Sequence, residues 1–327
     1  MGSPLRLQVS VEARSALVDR AWREIRDEFE AAEDALSRFR ARSEVHRLRL
    51  SGGRSTSPSR RLLAALAAAD RARRTTDGRF DPRVLLALEG LGSQPLPLSA
   101  AAAEAGPVAV SEAARAEPIF RRIGRRHGAI DVPVPVDFGG IGKGLALRWA
   151  AHRANRVLGH WPFLLEAGGD LVADGSPAGH GWRIGIEPVG GQGPAAGPVG
   201  GAGSVAGSAA GPVAVLELPA TGGAIATSSV RLAAWVTPDG RPAHHLIDPA
   251  TGLPGGDGLL AVTVQARDAA WSEVWAKALF LAGAAGISSL ARAKGLAAWW
   301  ITAGGVLEMT PAARLRTLWV EAEPEAA

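Results

Sequence analysis

The chain has 327 residues, 47% of them apolar and 21% charged, and its 36 Lys and Arg against 32 Asp and Glu leave a formal charge of +4. That length supports one large domain or two small ones with ample core, and the composition is that of a folded globular protein. The absence of cysteine excludes disulfides, thiolate metal sites and a lipid-anchored cysteine.

No run of basic residues interleaves with aromatics, so nucleic-acid binding has no support. The N-terminus lacks an apolar signal core, and no stretch of about 18 apolar residues occurs, so no membrane insertion is expected. As given, the chain reads as cytoplasmic, or as extracytoplasmic if its N-terminus has been trimmed.

Leu5, Leu7, Val9 and Val11 alternate with polar residues, which predicts a half-buried strand. Leu17, Ala21, Ile25, Phe29, Ala32, Leu36 and Phe39 recur at three- and four-residue steps, which predicts one long amphipathic helix ending within residues 36–45. A second helix is expected over Ser59–Arg74, with Leu62, Leu63, Leu66 and Ala69 as its stripe. Residues 99–105 and 111–123 are Ala-rich and expected to be helical in part.

Asp137-Phe138-Gly139-Gly140-Ile141-Gly142-Lys143-Gly144 then leads into a helix over Leu145–Leu158. Glycines at such a junction let backbone N–H groups approach an anion, which the helix dipole favours. The spacing is neither a Walker loop nor the dinucleotide fingerprint, and a tight structural turn is the competing reading.

Strands are predicted at Phe163–Leu165, Trp182–Ile186, Val213–Leu218 and Leu259–Ala266, with a hairpin at Ala297–Thr302 and Val306–Met309. Gly190–Gly211 is a Gly/Ala/Pro/Ser tract and is expected to be a mobile insertion between strands. Ala269–Gly283 is predicted as a helix burying Trp271, Val274, Trp275, Ala278 and Leu281, and Glu321–Ala327 as a frayed tail. Strands and helices interleave without a regular βαβ repeat, so the expected fold class is α+β with mixed or antiparallel sheets.

The stretch that carries the most chemistry is Gly240–Pro254, G-R-P-A-H-H-L-I-D-P-A-T-G-L-P. Asp248-Pro249 forces an extended or turn conformation and Gly252 permits a positive φ. The segment therefore reads as a rigid loop presenting His245 and Asp248, with His244 pointing the other way.

In order along the chain, D-A-L-S-R-F-R-A-R-S-E-V, T-D-G-R-F-D-P, D-F-G-G-I-G-K-G, E-A-G-G-D-L-V-A-D-G, A-T-S-S and the histidine loop resemble motifs of the ApbE family of flavin transferases. Those enzymes move FMN from FAD onto a Ser or Thr of a target protein. A further stretch, S-E-V-W-A-K-A-L-F-L-A-G, fills the place of the family's A-D-A-x-x-T-A-L-F-x-x-G. The resemblance implies an α+β, T-fold-like domain of two related halves spanning 1–327, with FAD as FMN donor held between them and a target protein as partner.

It further implies that His245 is the general base, with Thr227 and Asp248 as the other candidate catalytic residues. It places Asp137, Gly139, Gly140, Lys143, Gly168, Gly169, Asp170, Ser228 and His244 at cofactor-binding positions. The implied Mg²⁺ positions are Gly142, through its carbonyl, Glu273 and Lys277.

The departures fall at these same places. Glu273 and Lys277 stand where the family has Asp and Thr, and an ammonium repels Mg²⁺ and has no lone pair to offer. Arg148 replaces an Asp, Arg49 an Asn and Ser229 a Gly. Only three of the 36 basic residues are lysines, and two of them, Lys143 and Lys277, occupy motif positions. The bland alternative is that Glu273 and Lys277 form an ordinary i, i+4 pair on a helix surface. Beside flavin transfer, the sequence leaves open a non-catalytic flavin-nucleotide-binding protein and a hydrolase splitting FAD to FMN and AMP.

Overall fold

The computed structural model of the protein describes residues 4–9, 14–93, 106–123, 128–177, 180–189, 196–198, 211–231 and 233–321. In chain order, β1 (Leu5–Val9) and α1 (Ser15–Leu36) are followed by α2 (Glu44–Leu50), β2 (Arg54–Ser55), α3 (Arg60–Thr75) and α4 (Leu85–Gly90). Then come α5 (Glu112–Ala116), β3 (Arg121–Ile123), β4 (Ala129–Asp131), α6 (Gly142–Leu158), β5 (Phe163–Ala167), β6 (Asp170–Asp174), β7 (Arg183–Ile186), β8 (Ala196–Pro198) and β9 (Ala214–Glu217). The rest comprises β10 (Gly223–Ser229), β11 (Ala234–Val236), β12 (Pro242–His244), β13 (Leu259–Ala266), α7 (Ala269–Phe280), α8 (Gly283–Ala293), β14 (Ala297–Thr302), β15 (Leu307–Met309), α9 (Pro311–Arg314) and β16 (Thr317–Val320).

The architecture is α+β, and every strand pairing among the described residues is antiparallel. A seven-stranded sheet in the order β1-β5-β6-β10-β13-β14-β15 forms the centre. Phe163 and Leu165 of β5 face α1 and α6 in one apolar cluster, while Leu164 joins Leu171, Ile184, Leu216 and Trp299 in another, under the four-stranded sheet β16-β9-β7-β8. Alternate side chains thus go to opposite faces, and because both faces are covered, β5 appears in the sequence as a continuous apolar run.

Several expectations need correction. The first helix stops at Leu36, because Ser37 turns extended, and Phe39 is not on its buried stripe but 51% exposed under the Arg38 guanidinium. A separate helix, α2, follows, N-capped by the Ser43 hydroxyl, which accepts from His46 N–H. Within 111–123 only Glu112–Ala116 is helical, and Arg121–Ile123 is a strand. The segment 99–105, the ends of the first strand beyond Val9, and 322–327 lie outside the described residues, as does most of 190–211. Within that tract, Ala196–Pro198 pairs with β7.

No helix among the described residues is long and apolar enough to cross a membrane.

Candidate functional site

The site forms where the N-terminal end of α6 meets α7 and the ends of β6 and β10. The helix begins at Gly142, three residues before the expected start, so Lys143 and Gly144 lie in its first turn. Gly144 lets α6 pack directly on α7: a Cβ there would stand 2.5 Å from the carbonyl oxygen of Ala269. That close approach brings Glu273 of α7 to the end of α6, where its Oε2 accepts from Gly144 N–H at 2.7 Å. Its Oε1 is buried without a hydrogen-bond partner.

β5 and β6 are joined by Gly168 and Gly169, with φ of 58° and 90°, the two positive values that a tight I′ hairpin requires. The turn delivers Asp170 to the same place. Its Oδ1 accepts from Thr227 N–H at 3.1 Å and its Oδ2 lies 2.6 Å from Lys143 Nζ. Thr227 and its cross-strand neighbour Thr263 share a hydrogen bond of 2.9 Å between hydroxyls, and Ser228 is buried beside them.

Asp137 pairs with Arg38 at 3.3 Å, and both it and Lys277 are nearly out of solvent. Lys277 lies against the backbone of the Gly139–Gly142 loop, since a Cβ on Gly140 would stand 2.9 Å from its Nζ; one on Gly139 would stand 2.7 Å from Asp137 Oδ2. The surface-pair reading of Glu273 and Lys277 is therefore corrected. The two are only 6% and 7% exposed, and Glu273 spends its oxygen on a backbone N–H of another helix.

The charge states follow from this crowding. Burial pushes the Glu273 carboxyl up to about 8, Asp170 adds to the rise, and Lys143, the Gly144 N–H and Lys277 oppose it. For Lys143 burial acts downward, but Asp170 and Glu273 outweigh it and hold the ammonium above its ordinary value. Burial lowers Lys277 against the pull of Asp137 and Glu273. Of the two lysines gathered here, Lys143 is thus held in its charged form, while burial works against the charge on Lys277.

The histidine loop closes over them. Its turn is fixed by Asp248, whose N–H donates to Leu253 O and whose carbonyl accepts from Gly252 N–H. The Asp248 Oδ1 accepts from Ala250 N–H at 2.8 Å within the same loop. Asp248 therefore shapes the turn, and its carboxylate is not aimed at His245. His244 sets its ring edge-on to Phe280, and burial lowers its pKa. The His245 Nδ1 lies 3.4 Å from Ala233 O, which leaves Nε2 with the free lone pair. The ring keeps an exposed edge, yet burial, and next the Lys277 ammonium, push it down to about 3, so the imidazole is neutral.

The side chains do not suit Mg²⁺. The family's three positions bring one carboxylate, itself pushed towards its neutral form, one carbonyl and a buried ammonium in contact distance of the loop. Among the described residues no three His, Cys, Asp or Glu side chains gather at a metal-holding spacing. The other two substituted arginines have found partners away from the cluster, Arg49 in Glu89 and Arg148 in Asp268.

A cavity of about 960 Å³ lies not here but at the far end of α6. Beside the cluster lies a hollow of about 240 Å³ bordered by Lys143. We place the site by the convergence of charge. Reading the sequence missed Arg38, Gly144 and Thr263. The first two stood inside quoted motifs; nothing in the sequence marks Thr263.

The ApbE family model matches residues 1–300. Among solved structures, the ApbE protein of Thermotoga maritima superposes with a TM-score of 0.77 at 24% identity, covering 96% of each chain. The apo flavinyl transferase ApbE of Pseudomonas stutzeri gives 0.70 at 22% identity, over 96% of this chain and 97% of that one. The flavin transferase ApbE of Vibrio cholerae gives 0.68 at 22%, over 97% and 96%. No curated protein matches the chain.

Proposed function

The chain belongs to the ApbE family, and on that footing we propose that it transfers FMN from FAD to a Ser or Thr hydroxyl of a target protein. The observation that carries this reading is the meeting of Lys143 and Lys277 with a neutral His245, whose ring is electrostatically coupled to both. In the proposed reaction the target hydroxyl oxygen attacks the flavin-side phosphorus. The phosphoanhydride bond breaks, AMP leaves with the bridging oxygen, and the hydroxyl proton passes to His245 Nε2. The lysines hold the pyrophosphate and offset the charge that grows on the leaving phosphate.

A base held near pKa 3 is weak, but the field that holds it there comes partly from the two lysines. A pyrophosphate between them cancels that field, so His245 gains basicity when FAD is in place. Asp170 and Thr227 position Lys143, and Asp248 positions the loop. No step is assigned to a metal ion.

The buried ammonium of Lys277 favours one second reading, a protein that binds flavin nucleotide without turning it over. One experiment separates the two: FAD and candidate target proteins are incubated with the wild type and with His245→Ala, and AMP release and target mass are followed. Transfer is expected in the wild type with EDTA present, and none in His245→Ala at unchanged FAD affinity. FAD binding without AMP release in the wild type would establish the non-catalytic reading. Transfer abolished by EDTA would refute the metal-free assignment.

A further inference from the structure

The 960 Å³ groove at the far end of α6 is walled by the first turn of α3, the second half of α6, the end of β6, the Thr221–Gly223 turn and the junction of β13 with α7. Six arginines and three carboxylates line it. The carboxylates are engaged: Glu28 accepts from Arg61 and Arg153, Asp268 pairs with Arg148, and Asp174 accepts from Asn155. Arg60, Arg156 and Arg267 are exposed and have no acidic partner among the described residues.

Fold stability accounts for Arg156, which sits in the last turn of α6 where the helix dipole favours a cation. It does not account for the other two. Arg60 is the first residue of α3, whose first turn holds no acidic residue, and Arg267 directly precedes Asp268, the N-cap of α7. A helix N-terminus already carries partial positive charge, so guanidinium groups there are disfavoured. Two helix starts and three unpaired guanidinium groups therefore face one open groove, whose apolar floor includes Ala64, Trp149 and Val172.

We propose that this groove docks an acidic segment of the flavin-acceptor protein, an inference that rests on the transferase reading above. Guanidinium groups bind carboxylates bidentately, and Trp with Arg is the composition of protein–protein hot spots. A nucleic-acid strand fits less well, because the single Trp of the lining offers no row of aromatic faces for successive bases to stack on. A single small phosphate fits less well too, because the free cations come from three separate elements. From Lys143 to Arg153 along α6 is roughly 15 Å at 1.5 Å per residue. An ordinary interface of about 800 Å² per partner can span that distance, so one acceptor protein can reach both the groove and His245.

The test titrates a fluorescein-labelled peptide rich in Asp and Glu against the full chain and against the triple variant Arg60→Gln, Arg156→Gln, Arg267→Gln. None of the three arginines has an acidic partner among the described residues, so the variant should melt with the wild type. Peptide affinity should fall about tenfold or more in the variant, with a shallower salt dependence and unchanged FAD binding. Equal affinities, or no peptide binding to the wild type at low salt, would overturn the proposal. So would displacement of the peptide by inorganic pyrophosphate at equal charge, or tighter binding of a single-stranded oligonucleotide, since both assign the groove to phosphate. FAD titration of the wild type reads the transferase premise separately: if FAD fails to bind, that premise falls while the peptide result still decides what the groove holds.

Discussion

At one end of α6, Lys143, Asp170, Glu273 and Lys277 are packed among apolar residues and each other, and at the other end Arg60, Arg156 and Arg267 stand in water. The physical cost of the two arrangements is opposite. Burying ionised groups costs several kcal/mol each before pairing repays it, and a well-packed apolar set of the same volume is often as stable or more so. An exposed arginine changes stability by tenths. Retaining the first set is therefore costly, which makes it a candidate for chemistry that needs the charges dry. The second set is free to be chosen for what it binds. The buried end reads as a reaction site and the open end as a docking surface, on one helix.

The largest way to break that comparison is Asp170→Asn. The amide keeps the shape and one acceptor for Thr227 N–H, but it leaves Lys143 without the carboxylate 2.6 Å away. Breaking a buried pair costs about 3–5 kcal/mol, and the low end, about 3 kcal/mol, applies because Lys143 keeps a quarter of its side chain open. Urea denaturation should show that loss, while Arg156→Gln should stay within about 0.5 kcal/mol of wild type. Comparable losses from both would erase the distinction between the ends.

A smaller effect sharpens it through pH. The Glu273 carboxyl is raised by burial from an ordinary value of 4.5 to about 8 in the folded chain. Between those values the folded state holds a proton that the unfolded state has released, so stability falls as pH rises, and it levels off above about 8. His244, His245 and Lys277, whose pKa values burial lowers, act the other way in both proteins, so the difference is what isolates Glu273: from pH 5 to 8 the wild-type denaturation midpoint should fall relative to that of Glu273→Gln, which cannot ionise. An identical slope in the two proteins would mean that Glu273 is ionised throughout. At the groove end no such slope is expected, because arginine does not titrate in this range.

These contrasts also mark what the sequence could tell. The glycine loop, the two-glycine turn and the histidine loop were legible because each is a run of consecutive residues whose backbone geometry is local. β1 and β13 were legible from alternation and β5 from its apolar run, while short strands such as β2, β3, β4, β11, β12 and β16 were not, because too few residues carry the pattern. Lys277 and Glu273 stood out by type, yet their burial did not, because it depends on Gly144 admitting one helix against another 129 positions apart in sequence. α2 was missed, although Ser43 followed by Glu44 is an N-cap signal that marks its start. The groove was not legible at all. Its arginines are scattered over several elements, and only their meeting in space distinguishes them from ordinary surface charge.

The smallest effect has the opposite sign from the others. Arg60 opens α3, and its neighbour Arg61 already supplies the guanidinium that holds Glu28, at 2.7 Å. A carboxylate at the first position of a helix interacts favourably with the dipole, where a guanidinium does so unfavourably, each by about 0.3–1 kcal/mol at the surface. Arg60→Glu should therefore stabilise the fold by roughly 0.5 kcal/mol at low salt, the gain shrinking as salt screens it. The same substitution puts a negative charge where an acidic segment would dock, so peptide affinity should fall while the melting temperature rises. That divergence is the signature of a residue kept for binding at the expense of the helix that carries it. If Arg60→Glu lowers stability instead, Arg60 holds a structural contact, and the groove would lose the residue that stability least explains.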